Sequence, residues 1–286
     1  MSINGNGGDG FRGAPRFTVG IVLSTGLKVV QASLFRLLGI IFAVAIPTVV
    51  VIAILVVVVA GAAPNGEGGL SLTLTRGTPT EALFLLSLAV VALVAHALIQ
   101  AAITHGTLET LRGRKPAIGA CLARAFTVLP QTFGASLILF VVLGVVGTVV
   151  MIVLNAFLPI AENAAAAFVA GVISTAVLAL VLVRVWVIVP AIVFERAGPI
   201  ACFRRSMALT KGRRWIVFGV FAAVVVANYA VNLLSNVLPQ IGAPMAGAVL
   251  QAAATVFFLA FGAVLSAVGY YALRVEKEGA ALSDIA

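Results

Sequence analysis

The segment PAIVFERAGPIACFRRSMALTKGRRWIVFG, residues 190–219, holds six arginines and lysines between Glu195 and Trp215. Apolar runs flank it on both sides, LALVLVRVWVIVP (178–190) before and IVFGVFAAVVVANYAVNLL (216–234) after. Runs of this kind cross a bilayer, since about 20 helical residues span a hydrocarbon core of roughly 30 Å. The basic block is therefore a connection between two membrane crossings. It is not the arm of a nucleic-acid binder, which needs a folded reader or many phosphate contacts on an accessible surface.

The rest of the chain agrees. Of 286 residues, 62% are hydrophobic and 9% charged, and mean hydropathy is +1.21. One soluble domain of this size cannot bury that much apolar surface. Six stretches are long enough to cross: residues 37–61, 82–105, 132–158, 164–189, 216–238 and 245–273. The expected fold is an all-α membrane protein with six transmembrane helices. Pro47 and Pro190 fall within or at the end of spans, where the carbonyls they free must be satisfied by neighbours.

Charge orients the spans. Sixteen of the eighteen Lys and Arg residues lie on one side: Arg12, Arg16, Lys28, Arg36, Arg112, Arg114, Lys115, Arg124, Arg196, Arg204, Arg205, Lys211, Arg213, Arg214, Arg274 and Lys277. The other side has Arg76, in a loop with Glu67 and Glu81, while the connections around Glu162 and Pro239 have no Lys or Arg. The positive-inside rule puts both termini in the cytoplasm. Residues 1–16, rich in Gly and polar groups, are expected to be disordered. Residues 17–279 form one six-span domain and 280–286 a short tail. The run from Leu37 is too long for a signal-peptide core and is expected to remain as a span.

The basic segments have helical periodicity. At about 100° per residue, Val22, Leu23, Leu27, Val30, Leu34 and Leu37 fall on one side of 20–37, with Ser24, Thr25, Lys28, Gln31 and Arg36 opposite. Ile118, Cys121, Leu122, Ala125 and Leu129 share a face, and Ile200, Phe203 and Met207 make a narrower stripe. These read as three amphipathic helices on the cytoplasmic surface. Gly26, Ala125 and Ser206 align without gaps, and each second span ends on a glutamate, at Glu109, Glu195 and Glu276 or Glu278. The expectation is a three-fold repeat of surface helix, span, span, at about 17–112, 113–197 and 198–279.

Residues 190–219 resemble a pattern in six-span bacterial proteins related to the membrane domain of glycerophosphoryl diester phosphodiesterases. The resemblance is carried by Pro190, Glu195, Arg204 to Ser206, Leu209 to Gly212 and Trp215, and by the tail YYALRVEKEG (270–279), and it covers roughly 17–286. It implies a membrane module that acts with a partner. It does not bring the diesterase activity, which belongs to a soluble barrel with a His-Arg-Gly motif. The histidines here are His96 and His105, and no spare 200 residues are left for a barrel.

Single residues say less about chemistry. His105 and Glu109 share a helix face, but a metal wants more ligands and catalysis a substrate pocket. Cys121 and Cys202 form no metal-binding pattern. No cofactor, metal or catalytic residue is expected. Arg184 lies inside span four, where an ionised group is costly unless it snorkels, pairs or lines water. Asn228, Asn232 and Asn236 form a polar stripe on span five, with Gln251 of span six as partner; Gly144 and Gly147 read as close-packing positions. The expected function is non-enzymatic: Arg204, Arg205, Lys211, Arg213, Arg214 and Trp215 contact anionic lipid, and a protein partner docks beside them. The alternative is a transporter or channel component using Arg184 and the asparagine stripe. A lipid-modifying enzyme working through His105, Glu109 and Glu195 ranks last.

Overall fold

A computed structural model describes residues 17–59, 63–64, 70–71, 78–158, 163–195 and 198–279. The helices are α1 (Val19–Val59), α2 (Pro79–Leu111), α3 (Ile118–Phe157), α4 (Ala164–Val185), α5 (Ile188–Glu195), α6 (Pro199–Thr210), α7 (Arg214–Val237) and α8 (Pro244–Glu278). Ala63–Pro64 (β1) pairs antiparallel with Leu70–Ser71 (β2) in the first connection, the one departure from an all-helical chain among the described residues. Six helical segments are long and apolar enough to cross a membrane, with α4 and α5 together making the fourth. The chain is a multi-pass membrane protein. The expected disordered tails, together with Arg12, Arg16, Glu67, Arg76, Glu162 and Arg196, lie outside the described residues.

Local chemistry sets the helix ends. Thr78 caps α2, its hydroxyl accepting from the Glu81 N–H at 3.3 Å with Pro79 in the first turn. Asn163 caps α4 by accepting from Ala165 N–H at 2.8 Å. Gly279 closes α8 with φ +62°, a left-handed position that suits glycine.

Two of the three expected surface helices are not separate elements. α1 runs unbroken for 41 residues and α3 for 40, about 60 Å each at 1.5 Å per residue. That is about twice the hydrocarbon thickness. The third is separate: α6 ends at Thr210, and Gly212, at φ +84°, turns the chain into α7. The aligned positions in the other two copies are Ala32 and Gln131, which let the helix continue.

Buried residues gather toward one end, which carries the basic segments and where the Phe17 N–H donates to Glu276. There the last turns of α2 and α8, together with α5, pack against one another and form the centre of the bundle. α1 lies against α2 and α8, α3 against α2 and α5, and α6 against α4, α5 and α8. The inward stripe of α1 is Val22, Val29, Val30, Ser33, Leu37, Ile40, Ile41 and Val44, while Leu27 and Leu34 face out. α3 buries Cys121, Ala125, Val128, Thr132 and Ala135, and α6 buries Cys202, Ser206, Leu209 and Thr210. Toward the other end Ile54, Val58, Leu86, Ile152, Phe157, Val172, Leu233 and Val249 are exposed. Such surface is at ease only against lipid.

Close helix approaches occur at glycines other than those expected. A Cβ on Gly144 would meet open space, and one on Gly147 would reach only Leu178 at 4.0 Å. At Gly269 a Cβ would lie 2.5 Å from the Trp186 ring, and at Gly26 it would lie 2.6 Å from Leu265.

Candidate functional site

The site grows out of a broken helix. Pro190 has no N–H to give to Trp186, four residues earlier, and the helix is interrupted at Trp186 and Val187. The carbonyl of Arg184, in the last turn of α4, is taken up by α6: the Ser206 hydroxyl donates to it at 3.1 Å. The Thr210 hydroxyl lies 3.4 Å from the same carbonyl and 3.0 Å from that of Ser206. Side-chain hydroxyls of α6 thus hold a carbonyl just before the break, and α6 is fastened across it. Trp186 fills the space over Gly269 and meets Phe221 edge-on at 5.8 Å.

Charge fastens the other side of α6. Glu195, at the end of α5, accepts on Oε1 from the Tyr270 hydroxyl at 2.7 Å and from Arg205 Nε at 2.8 Å. Arg205 Nη2 reaches Glu278 Oε1 at 2.6 Å, and Arg274 Nε reaches Glu278 Oε2 at 3.0 Å. The Arg274 guanidinium lies 5.8 Å from the Tyr270 ring centre, and Phe194 stacks on Tyr270 at 5.8 Å. Arg213 pairs with Glu276. Lys277 Nζ donates to the carbonyls of Ala208 at 2.8 Å and Lys211 at 2.7 Å, capping the end of α6 with positive charge. Burial works against the Arg205 charge, but the hydrogen bond and charge of Glu195, with those of Glu278, outweigh it and raise its pKa above the ordinary arginine value.

The six residues grouped as lipid contacts therefore divide. Arg205 and Arg213 turn inward onto carboxylates. Arg204, Lys211, Arg214 and Trp215 face outward, Trp215 at 80% exposure, beside Ile200 and Met207 of the same surface. Of the stripe Ile200, Phe203 and Met207, Ile200 and Met207 face away from the bundle while Phe203 packs partly against its core, and the fully buried positions are Cys202, Ser206, Leu209 and Thr210. α8 supplies the other half of the cluster. Tyr270, Arg274 and Glu278 are four apart and share a helix face, the one signal that would have grouped them.

The remaining candidates stand apart from this cluster. The Arg184 side chain is exposed at the end of α4, favourably placed at the negative pole of that helix. The asparagine stripe forms as expected: Asn232 Nδ2 donates to the Asn228 carbonyl at 2.8 Å, Asn236 Nδ2 to the Asn232 carbonyl at 2.9 Å, and Gln251 Nε2 to Asn232 Oδ1 at 2.9 Å. Glu109 is engaged by Arg112 at 3.0 Å and by Arg114 at 3.7 Å. Among the described residues no three His, Cys, Asp or Glu side chains gather where a metal could sit. Cys121 and Cys202 are buried in helix contacts and are not joined in a disulfide. Comparison with family models, with curated proteins and with solved structures found no match for this chain.

Proposed function

We propose that this is a non-enzymatic protein of the bacterial cytoplasmic membrane, its basic end in the cytoplasm, which holds anionic lipid and a protein partner against α6. The observation that carries the reading is the division of the α6–α7 cations. Arg205, Arg213 and Lys277 fix α6 to the bundle, leaving Arg204, Lys211 and Arg214 presented outward beside Trp215. An outward cation near an anionic surface is attracted by about 1 kcal/mol, and tryptophan sits well at headgroup level. The resemblance to the phosphodiesterase membrane domain belongs to the same reading, because both motif segments that suggest it converge in this cluster.

A three-fold repeat is part of the proposal. The first helices of the three units start at Val19, Ile118 and Pro199, and equivalent positions are buried in each: Val22, Cys121 and Cys202; Gly26, Ala125 and Ser206; Val29, Val128 and Leu209. The transporter alternative finds less support, since the Arg184 side chain is exposed at a helix end and the asparagine groups bond one another.

The test is the lipid selectivity of purified protein in mixed bilayers of phosphatidylglycerol and phosphatidylcholine. Wild type should enrich spin-labelled phosphatidylglycerol at its surface, and combined Arg204→Gln, Lys211→Gln and Arg214→Gln should remove most of that enrichment, as should high salt. Equal preference for the two lipids in wild type would defeat the proposal. Orientation is checked with Arg214→Cys, which should react with impermeant maleimide only from the cytoplasmic side.

A further inference from the structure

On α3, Arg124, Thr127, Val128 and Gln131 follow one another at helical spacing and face Ile192 of α5 across a cavity of about 240 Å³. Two features mark it as more than a packing defect. Gln131 Oε1 is buried and has no hydrogen-bond partner, an arrangement that costs about 1–3 kcal/mol unless something donates to it. Arg124 is the seventh residue of α3, as Arg205 is the seventh residue of α6. Arg205 is clamped between Glu195 and Glu278; the Arg124 guanidinium donates to the Val193 carbonyl and lines the cavity.

The lining defines what would fit. A guanidinium takes phosphate oxygens well, and Gln131 Oε1 asks for a donor from the ligand; the Thr127 hydroxyl already donates to the Arg124 carbonyl at 2.7 Å and only borders the space. The volume is below the roughly 300–1,000 Å³ of sites that enclose a whole small molecule, so a headgroup fits and acyl chains do not. Exposed Ile138, two turns beyond Gln131 on the same face of α3, continues as apolar surface on which chains would lie.

We propose that this α3–α5 cavity binds a phosphate ester that also carries a hydroxyl or amine, with Arg124 holding the phosphate and Gln131 accepting from the donor. The proposal shares the membrane placement of the function above but not its surface contact, and it uses different residues. A lipid headgroup and a soluble phosphate ester have the same chemistry, so both are tested.

Full-length protein in uncharged detergent is titrated calorimetrically with dihexanoyl phosphatidylglycerol, with glycerol phosphate and inorganic phosphate as competitors. Saturable binding at one site is expected, weakened about tenfold by Arg124→Gln or by Gln131→Leu. Failure of the soluble esters to compete assigns the site to lipid, and competition at similar concentration assigns it to a soluble ester; either supports the shared chemistry. Two results overturn it: no saturable binding of any probe by wild type, or undiminished binding by both cavity variants at an unchanged melting temperature. If Arg124→Gln fails to fold, Gln131→Leu, which removes no hydrogen bond of Oε1, decides alone.

Discussion

Replacing Glu195 by Gln keeps the shape of the acceptor and removes its charge, which isolates what the carboxylate does for the cluster. Its Oε1 receives the Tyr270 hydroxyl at 2.7 Å and Arg205 Nε at 2.8 Å. A hydrogen bond to a charged group is worth about 1.5–3 kcal/mol and a neutral one about 0.5–1.5 kcal/mol, so neutralisation removes about 1 kcal/mol per bond. The side chain keeps 26% exposure, and solvent screening trims the sum to about 1–2 kcal/mol. Glu195→Ala removes the acceptor altogether and leaves the Tyr270 hydroxyl without it, adding about 1–3 kcal/mol. The order of stability should be wild type, Glu195→Gln, Glu195→Ala, measured by unfolding in mixed micelles with increasing dodecyl sulfate. A double-mutant cycle of Glu195→Gln with Tyr270→Phe should show a coupling of about 0.5–1 kcal/mol. Exposed Arg204→Gln serves as control, at about 0.5 kcal/mol or less. The reasoning is refuted if Glu195→Gln unfolds with the control, or if the cycle is additive.

Other outcomes follow from the packing. Gly269→Ala drives a Cβ to 2.5 Å from the Trp186 ring and should cost about 1–3 kcal/mol in the same unfolding assay; Gly144→Ala, facing open space, should be neutral or slightly stabilising. Asn232→Leu removes the bonds to Asn228 and Gln251 and should cost about 1 kcal/mol, since such bonds between membrane helices are individually modest. Gly212→Ala forces a side chain onto φ +84° and should cost about 1 kcal/mol, whereas Gly113→Asn at φ +74° should be better tolerated. Cys121 and Cys202, at 1% and 0% exposure, should resist maleimide in the folded protein and react fully in dodecyl sulfate.

Much of the fold is legible in the sequence because spans are long apolar runs, and 20-residue patterns survive errors at their ends. The division of each helix surface is harder to read. In α1 both Leu27 and Val30 are apolar, but only Val30 is packed. In a membrane the lipid side is as apolar as the core, so hydrophobicity does not separate the two. The same physics hid the packed face of α6, where Cys202, Ser206 and Thr210 lie inside while Ile200 and Met207 lie outside. Continuity of α1 and α3 was missed because an amphipathic stretch next to an apolar one reads as two helices, and only a breaker such as Gly212 makes them so. The asparagine stripe and its Gln251 partner were readable because polar groups in apolar runs have few places to go. The meeting of Glu195 with Tyr270, 75 residues apart, depends on how the helices are arranged, which no local pattern carries.

The contact between the Phe17 N–H and Glu276, 259 residues apart, bears on the order of biosynthesis. A ribosome delivers α1 to α7 before α8 exists. Until that last helix enters, Arg205 lacks Glu278, Arg213 lacks Glu276, and the end of α6 lacks the Lys277 cap. A chain stalled or cut before residue 270 keeps Glu195 for Arg205 but leaves Arg213 without Glu276 and the cluster without Glu278. Completion of translation and completion of the cluster are therefore one event.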